Sequence, residues 1–144
     1  MNLNFASDNT GPVAGPVMEA IVAANAGAAM PYGDDPWMPG VRAAMRSLFG
    51  WPEAEVMLVA TGTGANALAL AGMVQPWQSV LCHRIAHVEQ DECGAPEFYT
   101  GGAKLVAVDG EGGKMAPDAL RAAAARIGGS VHNVQRGAVS LTNV

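Results

Sequence analysis

Two stretches of this chain hold residues whose types and spacing suit chemistry. The first, "VATGTGANALALAGM" from Val59 to Met73, leads an apolar run into Thr61-Gly62-Thr63-Gly64 and then into a helical pattern. A glycine turn that opens a helix presents unpaired backbone N–H groups at the positive end of the helix dipole, so a phosphate is the natural guest. Gly62, Gly64 and Ala67 also satisfy the loose dinucleotide spacing G-x-G-x-x-A. However, the acidic residue that would hold a ribose about 20 residues on is absent, since "QSVLCHRIAH" offers His and Arg there. No Gly-Lys-Ser/Thr follows, which excludes a P-loop. The hydroxyls of Thr61 and Thr63 can add to hydrogen bonds from the Gly62 and Thr63 amides, which favours a small phosphate. A tight turn that holds nothing stays open.

The second stretch, "CHRIAHVEQDECGAPEF" from Cys82 to Phe98, concentrates Cys, two His, Glu and Asp after a strand-like run. A metal site would need His83 and His87 on one face, which requires helix, and H-E-x-x-H is not what stands here. Solvated acids with one structural histidine are an alternative. A third is an imidazole beside a bound cofactor, at the carboxyl ends of parallel strands, where open α/β sheets bind ligands.

The elements that must position these stretches alternate. Pro16 suits the first turn of a helix "PVMEAIVAANAG" closing at Gly27. "MPYGDDPWMPG" reads as loop from its prolines and glycines, and "VRAAMRSLFG" as a helix stopped by Gly50. "EVMLVA" is a candidate buried strand, "GANALALAGMV" a helix, "QSVLCH" and "AKLVAVDG" strands, "APDALRAAAARIGG" a helix and "GAVSLTN" a last strand. This alternation predicts an α/β fold, a mainly parallel sheet with flanking helices.

Bulk properties narrow the partners. A 144-residue chain of formal net charge −5 disfavours nucleic acid and acidic membrane surfaces. No stretch is apolar enough to cross a bilayer, and "MNLNFASDNT" lacks the pattern of a signal peptide. Two cysteines, Cys82 and Cys93, are too few for a disulfide framework and fit a cytoplasmic setting.

Seven segments in order, "FASDNTG", "YGDD", "TGTGANALAL", "AH" at Ala86–His87, "DECGAPEF", "TGGAKL" and "VSLTN", resemble the threonine aldolase family. These are pyridoxal 5'-phosphate (PLP) enzymes with the aspartate-aminotransferase-like fold. The "DECGAPE" wording is similar to the low-specificity L-threonine and phenylserine aldolase branch. The resemblance implies that Gly62 and Thr63 hold the cofactor phosphate and that His87 stacks on the pyridine ring and handles the proton of the substrate β-hydroxyl. Ser7 would contact the substrate carboxylate, and Tyr32 would reach an active site across a subunit interface. Asp8, Asn9 and Glu92 lie close to these positions. A small amino-acid substrate and a homodimer or homotetramer with shared active sites are implied as well. Residues 1–50 would form an N-terminal arm, helices and interface loop, and residues 51–144 the first part of the PLP-binding large domain.

The implied reaction is cleavage of threonine or another β-hydroxy-α-amino acid to glycine and an aldehyde. It requires a Schiff-base lysine, yet neither Lys104 nor Lys114 matches that position. The chain therefore reads as an amino-terminal portion of such an enzyme, inactive alone. A non-catalytic remnant, or a PLP-dependent β-eliminating lyase or transaminase, is the alternative.

Overall fold

The computed structural model describes residues 10–142. By its contacts the chain divides into two compact units, Met1–Met57 and Leu58–Val144. Among the described residues, the first unit contains two α-helices, α1 (Gly15–Ala24) and α2 (Met38–Phe49). Pro16 falls in the first turn of α1, as expected, but the helix stops at Ala24, short of Gly27. Helix α2 begins three residues before Val41, inside the stretch read as loop. Proline is tolerated in a first helical turn because its missing N–H would have no intrahelical acceptor there. Asp35 Oδ1 meanwhile accepts the Trp37 and Met38 amides, both at 3.0 Å. At the other end Gly50 is left-handed (φ 61°). The Gly50 amide donates to Ser47 O and the Trp51 amide to Arg46 O, a Schellman closure.

The second unit contains α3 (Gly62–Met73), β1 (Gln78–His83), α4 (His87–Gln90), α5 (Ala95–Tyr99), β2 (Lys104–Val108), α6 (Pro117–Arg126) and β3 (Gln135–Val139). The three strands form a parallel sheet in the order β2-β1-β3. Successive side chains of a strand point to opposite faces, and the central strand shows it. Val80 and Cys82 join Leu70 and Val74 at the end of α3, whereas Leu81 joins Ala123 of α6 and Ile127. Both faces of β1 are covered, which is why it reads as a continuous apolar run rather than an alternating one.

One expected element does not form. "EVMLVA" takes no regular structure and pairs with no strand among the described residues, and Met57, Leu58 and Val59 are exposed. Apolar, β-branched content signals a demand for burial, but a strand also needs a neighbour to take its backbone hydrogen bonds. The boundary between the two units falls inside this stretch.

Strand β3 starts at Gln135, two residues before the expected start, and carries a bulge. Ser79 pairs with Arg136 and Val80 with Ala138, so Gly137 is the extra residue. A Cβ at Gly137 would lie 2.8 Å from both Ser79 O and Val74 Cγ1. Gly72 in α3 has open space at the same position. Gly137→Ala is expected to lower the stability of the protein by about 1–3 kcal/mol, the cost of overpacking. Gly72→Ala is expected to raise it by roughly 0.5–1 kcal/mol through helix propensity. Chemical denaturation of the two variants checks the pair.

Candidate active site

Helix α3 is joined to β1 by four residues, so it runs back along the sheet and its amino end lies at the carboxyl ends of the strands. Thr61 is its N-cap. The residue is extended (φ −144°, ψ 157°), and its Oγ1 accepts the Gly64 amide at 3.0 Å. The Ala65 amide donates to Thr61 O. Gly62 and Thr63 are left with amides that have no partner among the described residues, as the geometry of a helix start dictates. A Cβ at Gly64 would stand 3.3 Å from Thr61 Oγ1, so glycine there keeps the cap oxygen uncrowded. The turn thus aims two amides outward at the positive end of a 12-residue helix.

The two histidines have different roles. His83 ends β1, is buried, and is engaged on both ring nitrogens: Nε2 lies 3.0 Å from Gly110 O, and Nδ1 accepts the Ile85 amide at 3.2 Å. It fastens the loop after β2 to the end of β1. At the same edge Arg84 Nε lies 2.6 Å from Asp109 Oδ1, and the guanidinium holds the Asp109 carboxyl below its ordinary range. Both partners are exposed, so the pair adds little stability.

His87 opens α4, and its side chain remains 53% exposed. Its Nδ1 lies 2.7 Å from Glu92 Oε1, and Asn66 Nδ2, from α3, donates to that same oxygen at 2.6 Å. The Glu92 side chain is completely buried, and its Oε2 has no partner among the described residues. A hydrogen-bonded chain therefore runs from the phosphate-suited helix through Asn66 and Glu92 to an imidazole whose other nitrogen is left for solvent or a ligand.

Of the expected site residues, Gly62, Thr63 and His87 are brought to one edge of one unit. Tyr32 lies in the other unit, at the tip of a turn closed by the Asp34 amide on Pro31 O, and is fully exposed. Ser7, with Asp8 and Asn9, falls outside the described residues. Asn66 is a site residue that the sequence pattern did not single out. Its signal was available: it is the one polar side chain inside "ANALALAG", and a polar group in an apolar helix face needs a partner.

The fold is α/β, and this edge sets two outward amides at a helix start beside a half-exposed histidine. A family model described as Beta-eliminating lyase matches residues 4–144, and the chain belongs to that family. Two curated relatives named low specificity L-threonine aldolase, from a Pseudomonas species and from Pseudomonas aeruginosa, are each 44% identical over 117 residues. That alignment covers 81% of this chain but 34% of either relative, so the chain spans about a third of their length. The solved threonine aldolase of Leishmania major superposes with a TM-score of 0.81 at 24% identity, over 89% of this chain and 36% of that one, which supports the α/β fold. The resemblance read from the seven segments agrees with these matches.

The two thiols near the site differ in burial. Burial, aided by the charges of Glu89 and Glu97, pushes the Cys82 thiol up to about 11, whereas Cys93 is exposed. Because the thiolate is the nucleophile, iodoacetamide near neutral pH is expected to alkylate Cys93 in the folded protein and Cys82 only after denaturation. Peptide mass spectrometry reads both.

Proposed function

We propose that the protein containing these residues is a PLP-dependent aldehyde-lyase that cleaves L-threonine, allo-threonine or related β-hydroxy-α-amino acids to glycine and an aldehyde. The observation that carries this reading is the joining of two free helix-start amides to His87 through Asn66 and Glu92. The donor set fits the cofactor: unpartnered amides at Gly62 and Thr63 suit a phosphate ester, and a half-exposed imidazole suits the face of a flat ring. When bound, PLP supplies an electron sink for the carbon whose Cα–Cβ bond breaks.

The residues of the chain do the rest. Gly62 and Thr63 hold the phosphate and so fix the position of the ring. His87 presents Nε2 to the substrate hydroxyl and takes its proton as the carbon–carbon bond opens, a proton-transfer task that imidazoles commonly perform. Lys104 starts β2, opposite Ser79 at the far end of the sheet, and Lys114 is an exposed loop residue. Neither matches the position of the family's Schiff-base lysine, so the reading takes that lysine from outside residues 1–144.

Tyr32 serves a neighbouring subunit in this proposal, in a homodimer or homotetramer with shared sites, and Ser7 contacts the substrate carboxylate. A cytoplasmic setting is consistent with two unpaired cysteines. The family description favours one second reading, β-elimination, which would release ammonia and a 2-oxo acid in place of glycine.

The full-length protein with PLP is expected to form glycine and acetaldehyde from L-threonine. Ammonia and 2-oxobutanoate as the products would overturn the aldolase reading in favour of elimination. His87→Asn is expected to lower kcat by about 10²–10⁴-fold, the usual worth of a proton-transfer group. Borohydride reduction should fix PLP to a lysine other than Lys104 and Lys114, as peptide mapping would reveal. Mixing Tyr32→Ala and His87→Asn subunits should restore roughly a quarter of wild-type sites, because random pairing leaves one intact site in each mixed dimer. No recovery on mixing would exclude sharing of the site.

A further inference from the structure

An imidazole can act as a base only through a nitrogen that carries no proton, and which nitrogen that is depends on the partner of the other. His87 Nδ1 faces Glu92 Oε1 at 2.7 Å, and Asn66 Nδ2 donates to that oxygen at 2.6 Å. Asn66 can only donate through this nitrogen, so Oε1 acts as an acceptor. The Glu92 side chain has no exposure.

We infer that Glu92 is a positioning residue for His87. It holds the ring as the Nδ1–H tautomer, leaves Nε2 unprotonated and outward, and steadies the imidazolium that forms when Nε2 takes a proton. Asn66 anchors Glu92 to α3, so the base is referenced to the helix that holds the phosphate. The balance is simple: one proton moves from the substrate hydroxyl to Nε2, Nδ1 keeps its own, and Glu92 remains a carboxylate. The logic matches that of a buried carboxylate behind a catalytic histidine in hydrolases and behind histidines that bind metals. The inference rests on the proposed role of His87.

The test is ¹⁵N NMR of the full-length protein labelled at histidine, under basic conditions in which imidazoles are neutral, with the His87 signals assigned by their loss in His87→Asn. The Nδ1–H tautomer is expected in the wild type, and this measurement needs no variant that might misfold. Glu92→Leu, which roughly keeps the volume but removes the acceptor, should release the ring into a mixture of tautomers. It should also lower kcat by about 10–100-fold, the range for residues that orient a reacting group, with KM near wild type. A wild-type Nε2–H tautomer overturns the inference, as does an Nδ1–H tautomer that persists in Glu92→Leu. Failure of the underlying reading shows separately: wild-type turnover in His87→Asn overturns the role given to His87, while the tautomer still decides whether Glu92 sets the ring.

Discussion

The buried carboxylate of Glu92 is the contact on which the candidate site depends. Removing a carboxylate from water costs several kcal/mol, and such a group persists only where its oxygens find strong donors. Two meet one oxygen, Asn66 Nδ2 at 2.6 Å and His87 Nδ1 at 2.7 Å. Hydrogen bonds to a charged group contribute about 1.5–3 kcal/mol each, so the two together offset much of that cost. The second oxygen has no partner among the described residues. The arrangement is therefore not one that stability alone would select, and it ties α3 to the start of α4 and the turn after it, with Asn66 and Glu92 26 residues apart.

The parallel sheet makes that meeting possible. Parallel strands bring all their carboxyl ends to one edge, and a helix that precedes a strand starts at that edge. The start of α3, the end of β1 and the loop after β2 thus converge without any long connection. His83 and Gly110 fix two of these loops to each other, which leaves His87, four residues further on, free to face outward. Histidines close in sequence are divided by topology: the one ending the strand is structural, and the one opening the helix is available for chemistry.

Much of this was legible in the sequence. "QSVLCH" corresponds residue for residue to β1, because its apolar run is buried on both faces. The glycine turn fell at the start of α3, because Thr61 and Gly64 satisfy the requirements of a cap locally. What was not legible depends on contacts between distant segments. The partner of Glu92 lies 26 residues away on another helix, and no local pattern states that pairing. "EVMLVA" failed for the same reason, since its composition expresses a need for burial without naming the neighbour. The early start of α2 was a local matter of a different kind: Asp35 reaches over Pro36 to cap a turn that contains Pro39, so residues that usually break helices stand at the place where one begins.

Backbone strain adds a further step. The structure records two non-glycine residues with positive φ among those described, Tyr32 (63°) and Cys93 (56°). Each is followed by a positive-φ glycine, Gly33 or Gly94, inside a turn closed by a backbone hydrogen bond. Such a conformation costs of order 1–3 kcal/mol for a side chain like these, and it persists where surrounding structure enforces it. At Cys93 the enforcing element is plain: the turn from Glu92 to Ala95 holds the carboxylate that holds His87. At Tyr32 the turn is braced by Arg42 on Gly33 O and by the Asp35 cap of α2, yet the aromatic ring is directed wholly into solvent. None of the described residues of its own unit covers that ring, a feature consistent with the role proposed for Tyr32 at a neighbouring subunit. Under the proposed function, strain beside the buried carboxylate and strain beneath an exposed aromatic have one explanation: each turn fixes a side chain for chemistry at the expense of local stability.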